Sequence, residues 1–103
     1  MNYGLRDTDL DYMLRLFRQE LTIKQVWLYG SRAKGVNRPG ADVDLALIGE
    51  QVTQQTVGHI RDVLDDESPI PYFFDVIHWD TIANEKLKGE IERTGQLIYQ
   101  RSA

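Results

Sequence analysis

Leu10, Met13, Leu14, Phe17 and Leu21 recur every three or four positions near the start of the chain, which is the spacing that lines one face of a helix. The pattern predicts an amphipathic helix over 9–20, with Thr8 as its N-cap and Asp11, Arg15, Arg18 and Glu20 on the solvated side. A second stripe, Thr56, Val57, Ile60, Val63 and Leu64, predicts a helix of about three turns over 53–65. A third, Ala83, Leu87 and Ile91, predicts a helix capped by Asp80 or Thr81, running to about Thr94 and stopped by Gly95. Between these lie short apolar runs rich in β-branched and aromatic residues, at 23–29, 42–48, 72–78 and 97–99. They read as strands.

The connections carry their own signals. Residues 31–35 are enough for one helical turn, ended by Gly35. Asn37, Pro39 and Gly40 make 36–41 a loop, and Ser68-Pro69-Ile70-Pro71 must be extended or turned. The alternation of helices and strands predicts an α/β (α+β) fold, a small mixed β-sheet with flanking helices.

Composition narrows this picture without redirecting it. With 103 residues the chain suits a single domain spanning 1–103. Apolar residues make up 42% and charged residues 27%, ordinary for a folded domain. There is no cysteine, so neither disulfides nor thiolate metal sites enter. No signal peptide and no membrane-length apolar run is visible, and the expected location is the cytoplasm. The net charge of −4, with basic residues scattered, argues against nucleic acid as the main ligand.

The candidate chemistry lies between the first two strands. Asp42 and Asp44, one residue apart on a strand, project to the same side about 7 Å apart. Two carboxylates aimed at one point stay ionised when a cation sits between them, and a hard divalent ion, Mg²⁺ or Mn²⁺, suits oxygen ligands. Gly30-Ser31, where the first strand ends, lets the backbone approach a ligand closely and turns the following amides toward phosphate oxygens. Asp75 interrupts the apolar run Tyr72-Phe73-Phe74-Asp75-Val76-Ile77-His78. A carboxylate buried there would need a partner or a metal, whereas one facing water on an edge strand would need neither.

Gly30-Ser31, ten residues, then Asp42-x-Asp44 resembles the signature of the DNA polymerase beta-like nucleotidyltransferases, in particular the short minimal nucleotidyltransferase (MNT) proteins. The likeness runs over about 26–78. It departs at Ala41, where those proteins often have Ser, and at Lys34, where they often have Arg. The resemblance implies a polymerase beta-like core in which Asp42, Asp44 and Asp75 hold two Mg²⁺ or Mn²⁺ ions, with Asp75 also a candidate base. It further implies that Gly30 and Ser31 bind the triphosphate of ATP, with Arg32 and Lys34 as further phosphate contacts. MNT proteins are typically paired with a helical HEPN protein as antitoxin and toxin, and can transfer AMP to a hydroxyl on it. The HEPN ribonuclease pattern, Arg followed by four to six residues and His, precedes neither His59 nor His78. The chain therefore resembles the MNT half only, and no acceptor-holding domain is evident within it.

Three readings follow. One is a nucleotidyltransferase acting on a partner protein; the second is a binding module that masks its partner; the third is a two-metal phosphodiesterase or nuclease, which Gly30-Ser31 at its spacing disfavours.

Overall fold

Strand β2 (Val43–Ile48) is central to the architecture because both of its faces are covered or functional. Val43, Leu45 and Leu47 point to one side and are fully buried, while Asp44, Ala46 and Ile48 point to the other. The structure is a computed structural model and describes residues 2–102. Strand β1 (Gln25–Tyr29) pairs antiparallel with β2 and sets Tyr29 beside Asp44. Strand β3 (Phe74–His78) pairs parallel on the other side and sets Asp75 beside Asp44. Strand β4 (Gln96–Gln100) lies antiparallel to β1, giving one mixed sheet in the order β3-β2-β1-β4. The expected mixed sheet with flanking helices is present.

A parallel pair needs a crossover. Here it is helix α3 (Gln54–Asp62), whose N-cap Thr53 accepts a hydrogen bond from the Thr56 amide. Together with helix α1 (Asp7–Gln19) it covers one face of the sheet. Met13 and Phe17 from α1, and Val57 and Ile60 from α3, meet Val26, Leu28, Leu45 and Val76 in one continuous core. On the opposite face, helices α2 (Gly30–Lys34) and α4 (Glu85–Thr94) are shorter, and the apolar cluster there is smaller, centred on Tyr29, Ala46 and Ile91. That cluster stops short of Asp44 and Asp75, so one end of this face stays open.

Several boundaries differ from the sequence pattern. Helix α1 starts at Asp7 rather than Asp9, because the buried Asp9 carboxylate accepts from the Arg6 amide and pairs with its guanidinium at 2.8 Å. Leu21, expected on the inner face, lies beyond the helix and is exposed. After α3 the chain continues as one π-helical turn, Val63–Glu67, ended where the Ser68 hydroxyl donates to the Leu64 carbonyl. Residues Trp79–Thr81 form a separate 3-10 turn, and α4 is capped by Asn84, whose side chain accepts from the Lys86 and Leu87 amides. Neither Asp80 nor Thr81 caps it, and Ala83 sits outside it, exposed. Among the described residues no helix is long and apolar enough to cross a membrane.

Candidate active site

Asp44 is the pivot of the open end. Its neighbour on one side is Tyr29 and on the other Asp75, both in direct register. Gly30, the first residue of α2, closes against it. A Cβ built on Gly30 would stand 2.3 Å from an Asp44 carboxylate oxygen, and the φ of +77° is one that side-chain-bearing residues rarely adopt. Glycine is thus required twice, for the turn out of β1 and for room beside Asp44. Ser31 follows, half-buried, and with Val36, Arg38, Pro39, Gly40 and Ala41 lines an open depression of about 430 Å³.

Asp42 immediately precedes β2 and is exposed, near enough to Asp44 for its charge to help raise that carboxyl. Asp75 is exposed as well, on a strand at the edge of the sheet. The notion that so apolar a strand would bury its carboxylate does not hold, because alternation sends Phe74 and Val76 inward and Asp75 outward. What distinguishes Asp75 is its register with Asp44.

Charge has accumulated here. Partial burial, reinforced by the charges of Asp75, Asp42 and Glu90, raises the Asp44 carboxyl from 3.8 to about 6, with Arg32 acting in the opposite direction. Burial, and then the neighbouring Asp75 and Asp44 carboxylates, likewise push the Tyr29 hydroxyl well up. Among the described residues no three Asp, Glu, His or Cys side chains are drawn together tightly enough to form a ready cage for a metal ion. The side chains of Asp42, Asp44 and Asp75 offer only carboxylate oxygens, and Gly30 leaves the room beside Asp44 that a Cβ would fill. Carboxylate oxygens are the hard donors that Mg²⁺ and Mn²⁺ take.

The two basic residues of α2 are placed differently from one another. Lys34 is exposed and forms a 2.9 Å ion pair with Glu90 of α4. Arg32 is buried, 2% exposed, with its guanidinium directed at backbone carbonyls of Tyr3, Ala41 and Asp42 rather than into the open end. Sequence pattern did not single out Tyr29 or Glu90. Tyr29 was findable as the last strand residue before the Gly-Ser turn, whereas Glu90 reaches the site only through the packing of α4 on α2 and β1.

The Gly30 turn and the Asp44–Asp75 pair thus meet at the open end of a small mixed sheet. The chain belongs to the polymerase beta nucleotidyltransferase family: the sequence model of the family described as "Polymerase beta, Nucleotidyltransferase" matches residues 13–103. The resemblance read from Gly30-Ser31 and Asp42-x-Asp44 is borne out. A protein of Haemophilus influenzae named "Probable protein adenylyltransferase MntA" is 29% identical over 84 residues, covering 79% of this chain and 71% of the relative. Among solved structures, a toxin-antitoxin with AMP-PNP superposes with a TM-score of 0.70 at 15% identity, covering 95% of this chain and 76% of that one. The toxin-antitoxin MntA-HepT superposes with a TM-score of 0.62 at 13% identity, covering 93% and 74%. At such identities the structural likeness speaks for the fold.

Proposed function

We propose that this nucleotidyltransferase transfers AMP from ATP to a hydroxyl of a separate, helical HEPN-type protein, acting as the antitoxin to that partner. The observation that carries the reading is one juxtaposition: Asp44 lies in register with Asp75 on one side, and the Gly30 turn abuts its carboxylate on the other. In this reading Asp42, Asp44 and Asp75 hold two Mg²⁺ or Mn²⁺ ions, which when bound neutralise charge on the transferred phosphoryl group and acidify the acceptor hydroxyl. The amides that follow Gly30 receive triphosphate oxygens, and the depression beside Ser31 gives the nucleotide room. Asp75, exposed on an edge strand, is accessible to a hydroxyl arriving from another molecule and can take up its proton. The acceptor oxygen bonds to the α-phosphorus, the bond to the β-phosphate oxygen breaks, and pyrophosphate leaves. Lys34, exposed and paired with Glu90, retains N–H donors for a phosphate.

The choice of AMP and of a toxin as acceptor is supported by the name of the Haemophilus relative and by the likeness to toxin-antitoxin structures. The masking alternative draws on one observation, that the donors are not already drawn together. Incubation with the partner, Mg²⁺ and ATP, followed by intact-mass spectrometry, separates the two. Transfer predicts whole AMP units on the partner with pyrophosphate released in step. Protection of the partner without any adduct, with each of the four common triphosphates, would mean masking.

A further inference from the structure

Arg32 is the largest fully buried side chain among the described residues, and none of the ion pairs among them includes it. A buried guanidinium must have its N–H donors satisfied, and here backbone carbonyls do it. Nε and Nη2 donate to the Ala41 carbonyl at 3.1 and 2.6 Å, Nε also to the Asp42 carbonyl at 3.3 Å, and Nη1 to the Tyr3 carbonyl at 2.9 Å. The Tyr72 ring covers its flat face, with Cζ 4.4 Å from the ring centre.

Those contacts join three separate parts of the chain. Asp42 is itself one anchor, Tyr72 lies three residues before Asp75, and Arg32 follows Gly30-Ser31 within the same helical turn. The first residues of the chain are shaped to the same group. Tyr3 adopts a φ of 57°, uncommon for a residue with a side chain, and this brings its carbonyl to Nη1. Gly4, at φ +76°, could not become alanine without placing a Cβ 2.8 Å from Nη1.

We infer that Arg32 is a positioning residue that fixes Asp42 relative to the Gly30 turn and to Asp75, and so governs the rate of transfer rather than the binding of nucleotide. The inference rests on the transfer reading above. A lysine carries the charge and three donors, but on a single nitrogen and without the planar fork that reaches the Tyr3 carbonyl from Nη1 and the Ala41 and Asp42 carbonyls from Nε and Nη2.

The test uses the full chain with Arg32→Lys, Arg32→Met or Tyr72→Leu, read out by amide hydrogen exchange and by transfer to the partner. Arg32→Lys is expected to speed exchange across 38–42 by about tenfold or more while β1 exchanges as in wild type. Its kcat should fall by about 10- to 100-fold, with KM for ATP changed by less than about threefold, and Arg32→Met should lose at least as much. A KM raised by about tenfold with kcat retained would make Arg32 a direct phosphate contact and overturn the inference. Unchanged exchange and kcat, even with a lowered melting temperature, would reduce it to packing and also overturn it. Should the Arg32 variants fail to fold, Tyr72→Leu keeps the hydrogen bonds and must show the same split at about three- to tenfold, and no change there overturns the inference. If wild type transfers nothing, the transfer reading fails, and the exchange arm alone decides whether Arg32 holds the 38–42 loop.

Discussion

The two faces of the sheet are built from the same strands yet serve opposite ends. Toward α1 and α3 every inward position of β1, β2 and β3 is buried, and all but His78 are apolar. Toward α4 the same strands present Tyr29, Asp44 and Asp75, and the helix covers only part of them. One face is core throughout, whereas the other combines a smaller apolar cluster with like charges around Asp44 that oppose folding. Carboxylates that repel one another can be kept on this face because the larger core lies on the opposite one.

The largest effect that sharpens this contrast is on the closed face. Phe17 is fully buried against the Tyr99 ring, and Phe17→Ala should cost about 3–5 kcal/mol in urea denaturation. A cost similar to that of an exposed substitution would break the division of labour. Gly30→Ala comes next: the left-handed conformation alone should cost about 1–2 kcal/mol, and the collision with Asp44 should lower transfer further than the stability loss explains. Asp75→Asn, at an exposed position, should leave stability within about 0.5 kcal/mol of wild type while transfer collapses. Near-normal turnover by that variant would return Asp75 to the status of an ordinary edge-strand residue.

The smallest expected effect is the dependence on pH. The Asp44 carboxyl is raised from 3.8 to about 6 in the folded protein, so the fold favours its protonated form. Its contribution to stability is fully present below the unfolded value of 3.8 and is lost as pH rises through about 6. Metal-free protein should therefore melt slightly higher at pH 5 than at pH 7 as far as this group is concerned, and Asp44→Asn should remove that increment. Metal binding needs the ionised form and should run the other way, weakening below pH 6. Identical pH profiles for wild type and Asp44→Asn would place the titrating group elsewhere.

Much of the open face was legible in sequence because strand alternation is a local rule. Asp44 had to face away from the Val43 and Leu45 side, and a glycine ending a strand had to mark a turn, although β2 itself begins at Val43, one residue after Asp42. Asp75 was legible as an anomaly, though for the wrong reason, since its exposure removes the cost of burial and only the parallel pairing of β3 with β2 brings it beside Asp44. Arg32 and Lys34 were indistinguishable as two basic residues of one short turn. Their opposite placements arise from contacts far along the chain, Arg32 with Tyr3 and Tyr72, Lys34 with Glu90. No local pattern encodes such contacts. The same holds for the last helix, where Asn84 rather than Asp80 became the cap because the Asp80 carboxylate accepts from the Gly49 amide instead.

The most direct measurement takes the Asp42→Ala, Asp44→Ala double variant and follows two quantities on one preparation: unfolding without ligand, and AMP added to the partner with Mg²⁺ and ATP. Removing two repelling carboxylates from the open face should leave the metal-free domain as stable as wild type or more so, still able to bind the partner, and unable to add any mass to it. A variant that adds AMP as wild type does, or that unfolds while Phe17 and the closed core are intact, would contradict the assignment of chemistry to one face and stability to the other.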